Sequence, residues 1–165
     1  MLIISPALPS HYPTIQAIAT ETWYPTYGHI LTQAQTDYML DWMYSIESLT
    51  EQVEKKGIDF LIAEMDGKII GFAAYELNYQ DIKTRIHKLY VLPGLHGSGV
   101  GRHLMNHISD IGHAYGNTIL NLNVNRFNKA IGFYKKIGFK IVGEEDIDIG
   151  HGYLMEDYIM EKSMV

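Results

Sequence analysis

Apolar positions in the first third of the chain recur with spacings that predict one strand and up to three helices. The strand covers residues 2–5, and Ser10 caps a helix that runs to about Trp23. Pro25 then predicts a loop over residues 23–29. Thr32 with Gln35 is a capping signal that predicts a second helix. Ser48 with Glu51 repeats the signal and predicts a third helix, which ends near Gly57.

The rest of the chain alternates strand and helix patterns. Asp66-Gly67 is the two-residue signal of a tight hairpin between strands. Leu104, Ile108 and Ile111 recur on one face of a helix from about Gly101 to Tyr115. Strands are expected near residues 60–65, 69–77, 84–92, 119–124, 139–148 and 153–162, and a further helix over 128–137.

The order of these elements combines antiparallel hairpins with βα units. It therefore predicts an α/β (α+β) fold, in which a mixed, mostly antiparallel central sheet carries helices on both faces. The 165 residues fit one domain with one core, so residues 1–165 are interpreted as a single domain.

Composition narrows the functional classes. The chain has no cysteine, which excludes disulfides, thiolate zinc sites and a cysteine nucleophile. Its formal charge of −6 disfavours nucleic acid as a partner and favours a cationic small molecule, although mild acidity also serves solubility. No apolar run is long enough for a bilayer and no signal peptide is evident, so we expect no membrane partner and a cytoplasmic location.

A glycine-rich segment after a buried strand is the most informative motif. Between Leu89 and Arg102 the chain ends a strand, passes through Gly97-x-Gly99-x-Gly101 and begins a helix. Such a loop exposes backbone N–H groups at the positive end of a helix, where an anion binds. The segment does not match the dinucleotide-binding fingerprint, because Arg102 occupies the position of its last glycine. It does not match the P-loop motif either, because no Gly-Lys-Ser/Thr follows.

Two motifs resemble the GNAT family of N-acetyltransferases. Residues 86–104, IHKLYVLPGLHGSGVGRHL, resemble the family's acetyl-CoA-binding segment, and residues 125–139, NRFNKAIGFYKKIGF, resemble its second segment. They stand in the family's order and at its separation. His96 departs from the family pattern, which has Gln or Arg at this position.

The resemblance implies an acetyl-CoA site. The backbone around Leu89–Val91 would pair with the pantetheine arm, and the backbone of the glycine loop would hold the pyrophosphate. The family's second segment also has an asparagine that contacts the cofactor. Its spacing from the tyrosine differs in this sequence, so either Asn125 or Asn128 would take this role. The implied cofactor-binding set is Leu89, Tyr90, Val91, His96, Gly97, Ser98, Gly99, Val100, Gly101, Arg102, Asn125, Asn128 and Tyr134.

The resemblance also assigns chemistry. Tyr134 corresponds to the family's general acid, which protonates the leaving thiolate. The family's glutamate base falls near Arg85, which cannot serve as a base, so His87 and Glu76 are the candidate bases, and ordered water is an alternative. Neither the resemblance nor the residues call for a metal, and His103, His107 and Asp110 are interpreted as a polar helix flank.

The acceptor is expected to be a primary amine of a small molecule. By the resemblance, Trp23, Tyr24 and Tyr27 border its pocket. Carboxylates on the last two strands would attract a polyamine, and Lys135-Lys136-x-Gly-Phe together with residues 157–162 is weakly similar to bacterial polyamine acetyltransferases. The carboxylates are Glu144, Asp146, Asp148, Glu156 and Asp157.

Other interpretations stay open. The chain could acetylate protein N-termini or lysines, or it could be a non-catalytic acyl-CoA-binding module. Family members often dimerise through the last strands, so a homodimer is expected.

Overall fold

The computed structural model describes residues 1–95 and 97–164, and its elements follow the predicted order. A single turn of 3-10 helix, Pro9–His11, precedes the first long helix. The strands are β1 Leu2–Pro6, β2 Ile58–Met65, β3 Lys68–Tyr79, β4 Lys83–Val91, β5 Ile119–Asn125, β6 Lys140–Gly150 and β7 Tyr153–Ser163. The helices are α1 Tyr12–Tyr27, α2 Gln33–Tyr44, α3 Ile46–Lys55, α4 Val100–Ala114 and α5 Ala130–Lys136.

The strands form one seven-stranded sheet in the order β1-β2-β3-β4-β5-β7-β6. Its neighbouring strands are antiparallel except β4 and β5, which are parallel and joined through α4. Asp66 and Gly67 both adopt positive φ angles, 52° and 82°, as the tight hairpin between β2 and β3 requires. The predicted fold, a mostly antiparallel mixed sheet, is confirmed.

Side chains of alternate strand residues build a separate core on each face of the sheet. Phe72 packs with the helices α1 to α3, whereas its neighbour Ala73 faces α4 and α5. On β5, Leu122 lies in the core beneath α4 and α5, so Asn121 and Asn123 face the α1 side. The sheet thus separates the core on the α1 side from the core on the α4 and α5 side. Side chains from the two cores can approach each other only where two neighbouring strands are not paired.

Strands β4 and β5 part after a short ladder. Their pairing covers only Lys83–Ile86 and Ile119–Leu122. The register between β3 and β4 shifts at His87, which is an extra residue on β4 and forms a β-bulge. Beyond it, residues 89–91 of β4 and 123–125 of β5 lie opposite each other without a ladder. We call this opening the β4–β5 gap.

Three local predictions were wrong. Ser10 does not cap the first helix, because it lies inside the 3-10 turn Pro9–His11 and α1 begins at Tyr12. The segment 23–29 is not a loop, because α1 continues through Pro25 to Tyr27. Trp23 and Tyr27 extend the buried stripe of this helix, and their burial offsets the hydrogen bond that Pro25 cannot donate. The third helix is capped by Ser45, which accepts from the N–H of Ser48 at 3.1 Å, and not by Ser48.

Along residues 1–95 and 97–164, no helix combines the length and the apolar character needed to cross a bilayer. The homodimer expected through the last strands stays a prediction, with β6 as the outer strand at that end of the sheet.

The bulge places a lysine inside the core on the α1 side. Lys88 is 8% exposed, and its Nζ donates to Gln52 Oε1 at 2.6 Å. The ammonium lies over the rings of Tyr44 and Phe60, 5.6 and 5.5 Å from their centroids. Burial lowers the pKa of Lys88 to about 7, with a smaller contribution from Lys56.

We expect Lys88→Met to be more thermostable than the wild type at pH 7, by several degrees in Tm. Between pH 7 and 10.5 the unfolded wild-type chain binds the Lys88 proton that the folded chain gives up, so wild-type stability rises with pH over this window. The variant loses that rise, and the Tm difference should shrink toward pH 10. Lys55→Met, at an exposed position, serves as the control. A difference in Tm that does not depend on pH would contradict the low pKa.

Candidate active site

The β4–β5 gap offers unpaired backbone groups of β4. The Leu92 N–H donates to Ile70 O on β3 at 2.8 Å. Because neighbouring residues of a strand direct these groups to opposite sides, the Tyr90 groups also face β3. The N–H and C=O groups of Leu89 and Val91 then face the gap, where an extended ligand arm fits as an added strand.

The glycine-rich loop connects the gap to the start of α4. Gly97 and Gly99 have φ angles of 84° and 87°, which a side chain would strain. Val100 is 1% exposed and anchors the first turn of α4 in the core. The first N–H groups of α4 lack intrahelical acceptors and lie at the positive end of the helix dipole. The loop therefore fits a phosphate group.

The other residues predicted to bind the cofactor in this loop differ in what their side chains contact. The Ser98 hydroxyl donates to Leu95 O, so this side chain is engaged inside the loop. Gly101 lies beside the Phe133 ring, which would be 3.7 Å from an added Cβ, and so brings α5 against the loop. Arg102 is exposed at the start of α4. His96 lies outside the described residues.

Tyr134 on α5 has a buried ring and an unbonded hydroxyl. The residue is 9% exposed, and its ring packs against Phe133 and Phe139 at centroid distances of 5.4 and 5.7 Å. Within the described chain, no hydrogen bond to its Oη is formed, yet this oxygen is not sealed in the core. Burial raises the pKa of the phenol, and Tyr27 raises it further.

A set of hydroxyls and one amide lines the α1 side of the gap. Tyr27 Oη lies 3.3 Å from Tyr90 Oη, and Asn128 Nδ2 donates to Tyr27 Oη at 3.4 Å. Trp23 is 3% exposed and packs against Tyr27 with ring centroids 4.5 Å apart. Tyr24 lies at the surface and donates to the Asp37 carboxylate. Tyr27 therefore presents its hydroxyl toward the gap, whereas Trp23 supports it from behind.

The two candidate asparagines differ in what they bond. Asn125 Oδ1 accepts from the N–H of Phe127 at 2.9 Å, which holds the turn after β5. Asn128 Oδ1 accepts from the N–H of Ala130 at 2.8 Å and so caps α5, while its amide nitrogen contacts Tyr27. Asn128 thus has both a capping role and a place at the gap.

His87 and Glu76 contact each other on the α1 side of the sheet. His87 Nε2 lies 2.9 Å from Glu76 Oε1, and the two side chains are 23% and 31% exposed. Burial lowers the pKa of the His87 imidazole, while Glu76 acts in the opposite direction. The neutral imidazole donates from Nε2, which leaves the Nδ1 lone pair available as a proton acceptor.

Asp157 is a buried carboxylate that the sequence interpretation placed only among surface acids. It is 3% exposed and accepts from Asn123 Nδ2 at 3.4 Å. Burial raises its pKa to about 6. The pattern of β7 contains a signal for this burial, because Asp157 alternates with the apolar Met155 and Ile159 on one strand face.

A polar cleft of about 340 Å³ lies beside the parallel ladder, on the α1 side of the sheet. Its charged groups are partly paired, since Lys83 Nζ lies 2.6 Å from Glu161 Oε2 and Arg85 donates to Asn121 Oδ1 at 2.7 Å. Asn123, the neighbour of Asp157, also lines it. Asn123 also belongs to the β5 segment 123–125 that borders the β4–β5 gap, so the cleft and the gap share this residue.

The acidic residues of β6 and β7 divide between the two faces of the sheet. Glu144 and Asp146 both bind Arg126 on the side away from the polar cleft. Glu145 pairs across the strands with Asp157, and both therefore face the α1 side. The prediction that five carboxylates of β6 and β7 act together is therefore wrong: of that set only Asp157 faces the α1 side, and Glu145, which the set did not include, is beside it.

In the part of the chain that the structure describes, no three His, Asp or Glu side chains converge as metal ligands would. His103, His107 and Asp110 line a shallow surface depression together with Leu2 and Ile4.

A sheet opened between two parallel strands and a glycine loop at a helix start together fit an extended ligand that carries phosphate groups. The matching family model, described as an acetyltransferase (GNAT) domain, covers residues 29–158, and the chain belongs to this family. The predicted family and the predicted class, a GNAT-type N-acetyltransferase with acetyl-CoA as cosubstrate, are confirmed.

Relatives extend over different shares of the chain. An uncharacterized N-acetyltransferase of Mycobacterium tuberculosis is 36% identical over 106 residues, which are 64% of this chain and 67% of the relative. The spermidine N(1)-acetyltransferase of Thermoplasma acidophilum is 30% identical over 154 residues, 90% of this chain and 89% of that protein. The solved PaiA N-acetyltransferase of the same organism, in complex with coenzyme A, is 27% identical with a TM-score of 0.82 and covers 99% of both chains.

We expect Gly99→Ala to weaken coenzyme A binding about 5- to 30-fold, because a Cβ at a left-handed φ costs about 1–2 kcal/mol. Isothermal titration calorimetry with coenzyme A measures this Kd directly. Gly116→Ala is the matched control: Gly116 has a φ of 82° at the other end of α4, so the change should lower Tm and leave the Kd unchanged. Equal Kd values for Gly99→Ala and the wild type would contradict the assignment of the glycine loop to the coenzyme A site.

Proposed function

We propose that this chain transfers the acetyl group of acetyl-CoA to a primary amine of a small polyamine. The observation that carries the proposal is the β4–β5 gap, which has a phenol on one face of the sheet and buried polar groups on the other. The match to a spermidine N(1)-acetyltransferase over 90% of this chain supports the polyamine.

Binding of the cosubstrate uses backbone groups. Leu89 and Val91 are the pairing partners for an extended arm, and the N–H groups from Gly97 to Arg102 are the donors for its phosphates. When bound, acetyl-CoA supplies an acetyl thioester at the inner end of the gap. A backbone N–H near Val91 then stabilises negative charge on the carbonyl oxygen.

Tyr134 is the general acid of this mechanism. Its Oη forms no hydrogen bond with any described residue, and burial raises the pKa of the phenol, which is therefore protonated throughout the neutral range. Desolvation also raises the pKa of a thiol that leaves into the same low-dielectric surroundings. The phenol becomes a weaker acid and the thiolate a stronger base, so the thiolate remains a proton acceptor for Tyr134 Oη.

The His87–Glu76 pair is a candidate base at the edge of the site. The Nδ1 lone pair of the neutral imidazole can take a proton directly or through water. Glu76 orients the ring by accepting from Nε2 at 2.9 Å. The depressed pKa of His87 makes the imidazole a weak base, so this pair fits a role in passing protons to solvent.

A polycationic acceptor fits the electrostatics of the α1 side. Glu145 and Asp157 pair across the strands, and along the described residues neither forms an ion pair with a lysine or arginine. Peptide lysine is the second candidate acceptor, since a peptidyl-lysine N-acetyltransferase of Escherichia coli is 41% identical over 61 residues, 36% of this chain.

We expect spermidine and spermine to be acetylated with a higher kcat/KM than lysine peptides or aminoglycosides, and Tyr134→Phe to lower kcat about 10²-fold or more. Thiol release from acetyl-CoA measures both. Tyr115→Phe, at an exposed tyrosine, is the matched control. An unchanged kcat in Tyr134→Phe would contradict the assignment of Tyr134 as the general acid. A higher kcat/KM for lysine peptides would contradict the assignment of a polyamine as the acceptor.

The charge of the acceptor is tested separately with Glu145→Gln. Since exposed charge pairs contribute about 0.2–1 kcal/mol, we expect KM for spermidine to rise about two- to fivefold at low salt and KM for a monoamine to stay unchanged. Glu156→Gln, on the opposite face of β7, should alter neither value. An equal effect of Glu145→Gln on both acceptors would argue against a polyamine bound along this side.

A further inference from the structure

Asp157 is buried without a cation. It is 3% exposed, and its hydrogen bond comes from the neutral Asn123 Nδ2, at a long 3.4 Å. Arg85 and Arg126 influence it electrostatically, but within the described residues no ion pair with either forms. The other carboxylate oxygen, Oδ1, has no hydrogen bond there and is nevertheless not sealed in the core. This oxygen is therefore open to a ligand.

Burying such a group lowers stability. An ionised carboxylate that leaves water without a cation is unfavourable, and proteins usually pair it or replace it. A carboxylate with a perturbed pKa is instead typical of a functional site, and Asp157 contacts Asn123, which lines the polar cleft. Packing does not explain the choice of aspartate, since asparagine has nearly the same shape and carries no charge.

The position of Asp157 relates it to the reacting groups. It lies opposite Asn125 on β5, whose residues 123–125 form one side of the β4–β5 gap, and its charge acts on Tyr27. Asp157 belongs to the α1 side of the sheet, whereas Tyr134 packs in the core on the α4 and α5 side. The two groups thus lie on opposite faces of the sheet, with the gap between them.

We propose that Asp157 is the base that accepts the proton of the acceptor ammonium, a role that rests on the proposed function. An ammonium approaching along the polar cleft reaches Asn123 before the gap, which brings it to Oδ1 of Asp157. His87 and Glu76 are already hydrogen-bonded to each other and are partly exposed, so the carboxylate is better placed to bind and deprotonate a cation.

The proton balance of this step closes. One ammonium proton passes to Oδ1 of Asp157, and the neutral nitrogen bonds to the carbonyl carbon as the carbon–sulfur bond breaks. The sulfur gains a proton from Tyr134 Oη, and the second proton that the nitrogen releases restores the phenol. The products are the amide, the free thiol and a protonated Asp157, which then loses its proton to solvent.

The titration of Asp157 suits this task. Burial raises its pKa to about 6, Glu145 on β6 acts in the same direction, and Asn123 on β5 opposes it. Arg85 on β4 and Arg126 after β5 oppose it as well, and Tyr27 on α1 completes the groups that face it. Asp157 is then mostly ionised at pH 7 and a stronger base than an ordinary aspartate.

The test is the pH dependence of spermidine acetylation by Asp157→Asn, with Glu156→Gln as the matched control on the opposite face. For the wild type we expect kcat to fall below about pH 6. For Asp157→Asn we expect kcat at pH 7 to fall about 10²- to 10³-fold, the inflection near pH 6 to disappear, and the Kd for coenzyme A to stay unchanged. What remains of the pH dependence is then the neutral fraction of the acceptor amine, which falls steadily as the pH falls.

Two further measurements separate proton transfer from structure. An acceptor of low amine pKa, such as trifluoroethylamine, is already neutral at pH 7 and should lose much less rate in Asp157→Asn. Asn123→Ala should move the low-pH loss of wild-type activity to higher pH, because it removes the group that opposes the raised pKa. Asp157→Asn should also melt no lower than the wild type, since it removes a charge that burial disfavours.

The outcomes are distinct. An Asp157→Asn enzyme that keeps its rate and its inflection near pH 6, or that loses equal rate with both acceptors, overturns the assignment of the base alone. If Asp157→Asn does not fold, a low-pH loss that Asn123→Ala leaves unshifted overturns it as well. If the wild type acetylates no amine although it binds coenzyme A, the proposed function fails, and the base with it.

Discussion

The separation of β4 from β5 after four paired residues on each strand is the constraint on which the rest of the molecule depends. A continuous ladder here would satisfy Leu89 and Val91 within the sheet and leave no edge for a ligand. The bulge at His87 ends the regular pairing and directs the Lys88 side chain into the core. Burial lowers the pKa of Lys88, so burying this lysine as a cation lowers the stability of the fold. Because the gap opens between two cores, groups from both faces of the sheet meet at one place, which no single helix or strand could achieve.

Desolvation is the common physical cause of the chemistry around this opening. It raises the pKa of Tyr134 and of Asp157 and lowers that of His87, so that a phenol stays protonated while a carboxylate becomes a better base. The acid and the base that we propose then have their protons in the states that acetyl transfer needs near neutral pH. Exposed acids of the same strands, such as Glu144 and Asp146, are paired with Arg126 and take no comparable part.

The element order and the glycine loop could be predicted because each depends on local sequence, and Tyr134 stays a prediction that rests on a motif. The continuation of α1 past Pro25 could not, since the burial of Trp23 and Tyr27 against distant strands decides it. Nor could the burial of Asp157, because it depends on which strands become neighbours in the sheet. The chain order β6, β7 gives no sign that β7 inserts beside β5 and carries Asp157 to the gap. Local rules thus predict the glycine loop that we propose for binding, whereas long-range pairing decides which other residues lie beside the gap.

We propose that acetyl-CoA binds as an added strand along β4 with its phosphates at the start of α4. Amide hydrogen exchange, resolved by residue with and without coenzyme A, tests this binding mode. We expect slower exchange at the N–H groups of Leu89, Val91, Gly101 and Arg102, and unchanged exchange in the hairpin of β2 and β3 around Asp66. Protection that appears elsewhere and leaves Leu89 and Val91 unaffected would contradict it.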